Sequence, residues 1–393
     1  MSQTSDSMER VLEPNGLLAR HLEGFEFRES QLAMARLIDQ GIREKRHVII
    51  EAGTGTGKTL GYLVPIVLSG KKAVISTGTK NLQEQIYFKD IPLLSEATGL
   101  SIDAAIMKGR KNYLCLHRYH QARSTPGLFE GKDRTRWECM DRWIGETEFA
   151  DRSELDWLSD EDPFWDQVSS TSEQCLGGRC LYFDDCFLNA LRRRAARSRV
   201  IIVNHHLFFA DLMVKQGGFG EIIPRFQVVV LDEAHNVEET ATTYFGERLS
   251  SNQLYDLVHD TEKALRAAGE QDGLDRKVVE KGLAGIRAAT EQLRTQCNGG
   301  DERGLLSAET RSALKQGPAA LLRHELERIR ERGGLDASED PALRTFALRA
   351  GALTRSLETI LDSNDPDWLA WYERRKKGVV LHASPLDVSG PLQ

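Results

Sequence analysis

Short apolar, β-branched runs recur along the chain, separated by longer stretches in which apolar residues return every three or four positions. The runs are His47–Ile50, Ala73–Ser76, Ala104–Met107, Val200–Val203, Val228–Leu231 and Val379–His382. Strands buried on both faces read this way, and their alternation with helices predicts a parallel sheet. Two stretches break the alternation. Lys108–Arg199 is polar, rich in aromatics and holds five of the six cysteines. Glu238–Arg375 reads almost wholly as helix, with apolar spacing in Leu321–Arg332 and breaks at Gly299–Gly300 and Gly333–Gly334. Gly378–Leu386 then reads as strand again. The pattern is that of one α/β domain interrupted twice.

Composition changes this picture little. Of 393 residues, 40% are hydrophobic and 28% charged, as in a soluble globular protein of two or three domains. The start of the chain, Met1–Asn15, is polar and acidic, so no secretory leader is expected. Leu63–Leu68 is the longest apolar run, far below the roughly 20 residues a bilayer needs, and the expected compartment is the cytosol. Net charge is −7, which by itself argues against nucleic acid. The charge is uneven, however: Lys108–Lys111 and Arg192–Arg199 are basic and Glu146–Asp166 is acidic. A local basic groove suffices to track a phosphate backbone.

The strongest local signal is Glu51-Ala-Gly-Thr-Gly-Thr-Gly-Lys-Thr59, set after the first apolar run and before the apolar stretch Leu60–Leu68. This is a phosphate-binding loop in a strand–loop–helix setting. Main-chain N–H groups of Ala52, Gly53, Thr54, Gly55, Thr56 and Gly57 would curl around a triphosphate, helped by the positive end of the next helix. Lys58 would reach the β- and γ-phosphates, and Thr59 would hold Mg²⁺. Ala52 stands where the strict pattern has glycine. The partner motif is Val228-Val-Val-Leu-Asp-Glu-Ala-His235. There Asp232 would hold the Mg²⁺ hydration shell and Glu233 would orient or deprotonate the attacking water. Acids capping a helix would explain one carboxylate but not the pair together with a phosphate loop. Upstream, Phe27-Arg-Glu-Ser-Gln31 supplies Arg28 and Gln31 as nucleotide-binding candidates. A glutamine amide can donate to and accept from an adenine edge at once, although a surface glutamine on a helix is the commoner case.

Asp-Glu-Ala-His at 232–235 follows the loop by roughly 170 residues, far more than a minimal motor domain needs. Together with Lys108-Gly-Arg-Lys-Asn-Tyr-Leu-Cys115, Val203-Asn-His-His206, Ser76-Thr-Gly-Thr-Lys80 and Leu82-Gln-Glu-Gln85, the combination resembles the superfamily 2 helicases of the XPD/DinG group. It looks most like the bacterial YoaA branch, and the likeness is loosest across Glu238–Arg375. The resemblance implies a RecA-like motor domain formed by 1–107, 200–237 and 376–393. It implies a 4Fe–4S cluster domain at 108–199, a helical Arch-like domain at 238–375, and ATP-driven 5′ to 3′ movement on single-stranded or forked DNA. Family motifs of the second RecA-like domain are absent, so this chain alone is expected to bind nucleotide weakly, to hydrolyse it poorly and not to unwind DNA.

The resemblance also assigns Cys115, Cys175, Cys180 and Cys186 as cluster ligands, the last three in a C-x₄-C-x₅-C pattern. Four thiolates suit a cubane cluster, tetrahedral zinc remains the rival, and Cys139 is an alternative ligand to Cys115. Cys297 reads as a bystander. By the same resemblance Ser76–Thr79 would give hydroxyl and main-chain donors to DNA phosphates, and His235 would sense the γ-phosphate. Lys108, Arg110, Lys111, Arg192–Arg194, Arg197 and Arg199 are candidates for a phosphate track, with Tyr113, Tyr182 and Phe183 for base stacking. A solvated arginine face and aromatics packed internally are the plainer alternatives. The YoaA likeness suggests DNA repair or replication, with a protein partner at the fork and no membrane. The rival function is a DNA-structure-binding or partner-docking module with a weak ATPase, which the intact Lys58, Asp232 and Glu233 disfavour. A nuclease-linked relative is disfavoured because no acidic nuclease pattern precedes Arg28.

Overall fold

The structure, a computed structural model, describes residues 3–388 except 54, 125–131, 160–161, 173, 217–219, 268–273, 298–300, 336–340, 363–364, 366 and 376–377. It divides into two compact units, one of 1–171 with 182–240 and the other of 172–181 with 241–393.

The first unit is built on a parallel sheet of β1 (Ala73–Thr77), β2 (Ala104–Ile106), β3 (Val200–Asn204) and β4 (Val228–Leu231), in the order β2–β3–β1–β4. Every residue of β1 is buried, as are the first four of β3, which is why both read as unbroken apolar runs. Register matters for function. Ser76 lies beside Val203 on one side and Leu231 on the other, so β1, β3 and β4 end level with one another. The helices Gln3–Leu12, Glu29–Glu44 and Lys58–Ser69 share one core with the sheet, through Met8, Leu32, Ala35, Leu63, Ile66, Ile75 and Ile202. Each such side chain contributes about 1.5–3 kcal/mol by leaving water.

The expected strand His47–Ile50 is not formed. Both edges of β1 are taken by β3 and β4, and Val48 packs instead against the helix Glu29–Glu44. A Cβ on Gly41 of that helix would lie 2.3 Å from Val48 Cγ2. Ile49 is left 99% exposed.

The insertion 108–168 is better packed than its polar sequence suggests. It carries its own core, in which Leu114, Tyr119, Trp137, Met140, Phe164, Trp165 and Val168 are buried together. Main-chain bonds from Leu114 to Ala150 and from Cys115 to Val168 tie its ends across this core.

The second unit is not almost wholly helical. Its sheet is antiparallel, formed by β5 (Glu247–Ser250), β6 (Arg303–Leu305), β7 (Trp368–Arg375) and β8 (Gly378–Pro385) in the order β5–β8–β7–β6. Gly378–Leu386 therefore does not return to the parallel sheet. It pairs along its length with the strand just before it, from Trp368 opposite Pro385 to Arg375 opposite Gly378. A hairpin forms between sequence neighbours, whereas joining a parallel sheet requires a long crossover. The helices Ser251–Ala267, Arg276–Gln296, Ala320–Arg332 and Phe346–Asp362 pack with this sheet around Leu257, Leu283, Ile286, Ile329, Phe346, Ile360 and Leu381. The break read at Gly333–Gly334 is real, with Gly334 in the left-handed region at φ 69°. Gly299–Gly300 lies outside the described residues. Cys297 is buried in this core, and burial pushes its thiol up to about 11. Among the described residues no helix is long and apolar enough to cross a membrane.

Candidate nucleotide and nucleic-acid site

The helix Lys58–Ser69 starts directly from the glycine-rich loop. Its N-cap Gly57 has φ 75° and Gly55 has φ 77°, a left-handed backbone that side chains strain to adopt and that turns the chain into the helix. Thr56 Oγ1 donates to the Gly53 carbonyl at 2.9 Å and closes the turn, while Gly53 and Gly55 stay exposed and Ala52 half-buried. Thr54 lies outside the described residues. Both upstream candidates lean on this loop. Arg28 donates to the Gly55 carbonyl, and Gln31 Nε2 donates to the Gly57 carbonyl at 2.8 Å. Gln31 is buried, so its amide N–H serves the loop rather than open solvent.

Asp232 and Glu233 follow β4 immediately. Lys58 Nζ donates to Glu233 Oε1 at 3.0 Å across 175 residues of sequence, the contact that unites the two motifs. Glu233 sits at φ 52°, a left-handed conformation that costs a non-glycine residue about 1–3 kcal/mol. Burial pushes the Asp232 carboxyl above its ordinary value, and the neighbouring Glu233 charge adds to the shift. Divalent metal would reverse both effects by supplying opposite charge. Tyr62, on the buried face of the loop's helix, donates its hydroxyl to Asp232 Oδ2 at 3.4 Å. Tyr62 left only a faint signal, an aromatic in an otherwise aliphatic helix. His235 is largely exposed, with Nδ1 3.5 Å from Glu233 Oε2.

The loop after β1 departs from expectation. Ser76 and Thr77 are fully buried, and their hydroxyls are used internally. Ser76 Oγ lies 2.7 Å from His205 Nδ1, and Thr77 Oγ1 donates to the Thr79 carbonyl at 3.0 Å. Thr79 Oγ1 caps the following helix by accepting from Leu82 N. These hydroxyls therefore do not face a DNA phosphate; only Gly78 onward emerges from the core. A Cβ on Gly78 would lie 3.1 Å from Asn236 Nδ2, just past the Asp232–His235 motif, so the two loops approach closely. His205 is the residue that sequence reasoning passed over. Its signal was two histidines directly behind an apolar strand.

The proposed DNA contacts sort into two groups. Lys108 is 3% exposed and its ammonium pairs with Glu84 at 2.6 Å and Asp151 at 2.7 Å. Tyr113 is also buried and accepts from Lys108 N through its hydroxyl. Neither can meet DNA, since both hold the insertion together. Arg193, Arg194 and Arg197 instead line an open groove of about 660 Å³ with Tyr87, Phe88 and Pro92. Phe183 is exposed, and Tyr182 stacks on His120 with centroids 4.7 Å apart.

Among the described residues no cysteine forms a disulfide, and the four expected ligands are half-buried. Cys115 and Cys186 are N-caps of the helices Leu116–Arg123 and Phe187–Arg197 in the first unit. Cys175 and Cys180 belong to the second unit, and Cys175 Sγ accepts from Gly177 N at 3.5 Å. Among the described residues no three histidines, cysteines or acids stand together as a metal site.

Residues 29–133 match the family model for DEAD/DEAH box helicases. The chain is 35% identical to the ATP-dependent DNA helicase YoaA of Haemophilus influenzae over 379 residues, covering 95% of this chain and 58% of that protein. It is 31% identical to the ATP-dependent helicase DinG of Mycobacterium tuberculosis over 252 residues, covering 58% of this chain and 37% of that protein. A solved structure described as truncated XPD aligns over 88% of this chain and 84% of its own, at 15% identity and a TM-score of 0.40, too distant to carry an argument. The chain thus spans a little over half the length of the YoaA relative. With its phosphate loop, its Asp-Glu-Ala-His strand end and their salt bridge, the chain carries a DEAD/DEAH-box helicase domain and is similar to the YoaA and DinG helicases.

Proposed function

We propose that this chain is the nucleotide-binding part of an ATP-dependent DNA helicase that moves 5′ to 3′ along single-stranded DNA, in the bacterial cytosol, during repair or replication. One observation carries the reading above the others: the Lys58–Glu233 contact at 3.0 Å, with Asp232 beside it at the end of β4. A phosphate loop and a carboxylate pair that meet this way have one common use, the hydrolysis of a nucleoside triphosphate. Lys58 and the loop N–H groups bind the phosphates, Thr59 and Asp232 hold Mg²⁺, and Glu233 positions water once Lys58 moves onto phosphate. Emerging main chain at Gly78–Thr79, beside this site, offers a surface for a DNA backbone, and His235 stands exposed next to Glu233.

Cys115, Cys175, Cys180 and Cys186 are the residues that would hold a 4Fe–4S cluster, which would pin the insertion. The C-x₄-C-x₅-C spacing of the last three, two helix N-caps and an N–H bond to sulfur support that assignment. The test is ATP hydrolysis with and without oligothymidylate, beside iron, sulfide and zinc analysis of anaerobically purified protein. DNA-stimulated hydrolysis lost in Glu233→Gln is expected. Hydrolysis indifferent to DNA would sink the helicase reading, and stoichiometric zinc without sulfide would sink the cluster.

A further inference from the structure

His205 is the first residue past β3, and β1 separates that strand from β4. Its ring reaches across both neighbours. Nδ1 lies 2.7 Å from Ser76 Oγ on β1, and main-chain groups of Asp232 and Glu233 beyond β4 lie against the ring. Ser76 is bound from the same side, because its carbonyl accepts from Asp232 N at 2.8 Å. The histidine is 1% exposed, and Nε2, though buried, makes no well-aligned hydrogen bond, with the Asp232 and Glu233 main chain lying near it. Burial holds its pKa below the ordinary value, so the ring is neutral, with one N–H and one lone pair.

We propose that His205 is a positioning residue that couples the acids of the nucleotide site to the Ser76–Thr79 loop, making nucleotide binding and single-stranded DNA binding interdependent. The inference rests on the functional reading above, which assigns those two ligands to these two loops. Its physical basis is a pair of discrete arrangements. Lys58 is shared between Glu233 and any triphosphate on the loop, and phosphate draws the ammonium away. Glu233, held in a left-handed backbone, is then free to relax. A shift of the Asp232–Glu233 main chain toward the ring supplies Nε2 with the well-aligned hydrogen bond it lacks. Nδ1 carries that shift to Ser76, and Ser76 carries it to Gly78 and Thr79, where the chain leaves the core. A buried hydrogen-bond network of this kind tends to switch as a unit, because half-made states leave polar atoms unpaired.

The experiment measures binding linkage and needs no turnover. Affinity of the purified chain for a fluorescent oligothymidylate of roughly 20 nucleotides is read with and without a non-hydrolysable ATP analogue and Mg²⁺. In the wild type the analogue shifts DNA affinity by about fivefold or more, and DNA shifts analogue affinity by the same factor. In His205→Ala the factor falls below about twofold while each ligand alone binds within about threefold of wild type. His205→Asn keeps a polar group only where Nδ1 was and His205→Gln only where Nε2 was, so each breaks the relay and leaves the factor below about twofold. Linkage that persists in His205→Ala, or is restored in the folded Asn or Gln variant, overturns the proposal. Wild-type chain that binds both ligands independently overturns it too. Failure to bind either ligand overturns the underlying functional reading instead.

Discussion

One strand from each of this protein's two sheets is made of similar residues and used for a different end. β3, Val200–Asn204, and β8, Gly378–Pro385, are both apolar runs buried over most of their length. β3 lies in a parallel sheet, and parallel strands deliver all their carboxyl ends to one side. Hence Ser76, His205, Asp232 and Glu233, distant in sequence, meet there, with Lys58 in reach. β8 lies in an antiparallel sheet, whose strand ends alternate, and no comparable convergence follows. Its residues pack: Leu381 is fully buried among the helices of the second unit. The same apolar run therefore means chemistry in one sheet and stability in the other.

That contrast breaks most directly at Lys58. Lys58→Ala is expected to lower ATP hydrolysis on the order of 10³-fold or more, about 4 kcal/mol of transition-state stabilisation. Its urea unfolding midpoint should stay close to wild type, since the lysine is partly exposed and makes no core contact. Residual hydrolysis within tenfold of wild type would detach the phosphate loop from catalysis.

In the second unit the expectation reverses: large losses of stability, with nucleotide binding unchanged. Arg349 is 8% exposed and pairs with Asp260 at 3.1 Å, and Gln174 donates to the same carboxylate at 3.0 Å. Asp260→Ala strands a buried guanidinium and should cost about 3–5 kcal/mol. It also unties the segment 172–181, so Cys175 should react faster with a thiol reagent, whereas Asp260→Asn should preserve the tie. Leu381→Ala, which leaves a cavity behind β8, should cost about 3 kcal/mol by denaturant titration. A nucleotide affinity changed tenfold by Leu381→Ala would mean that the antiparallel sheet is not merely packing.

Motifs whose chemistry depends on order in the sequence were legible before the fold was known. The loop at 52–59 and the acids at 232–233 could be paired because each residue type has few other uses at that spacing. What stayed hidden was set by tertiary competition. Apolar runs specify burial but not a partner, so β8 could not be told from a parallel strand, and His47–Ile50 could not be seen to stay outside the sheet. Lys108 looked like a surface cation because nothing in the sequence shows Glu84 and Asp151 converging on it. Ser76 and Thr77 looked like outward donors because their burial depends on neighbours in β3 and β4. His205 had a motif but no role until the sheet placed it against Ser76.

A smaller effect separates the sheets by pH. His382 on β8 is nearly buried and stacks on Trp371 of β7, with ring centroids 4.0 Å apart. Burial, with the Arg248 charge adding to it, lowers its pKa from 6.5 to about 4. Protonation is therefore easier in the unfolded chain than in the folded one. The stability this histidine allows is fully present above pH 6.5 and is lost progressively as pH falls toward 4, by about 3 kcal/mol. His382→Phe keeps the stack on Trp371 and removes the proton site. Unfolding free energies from pH 7 down to pH 4 should then fall less steeply in the variant than in wild type, by about that amount. Parallel slopes would mean that His382 is protonated while folded, and that the antiparallel sheet tolerates a charge its burial should exclude.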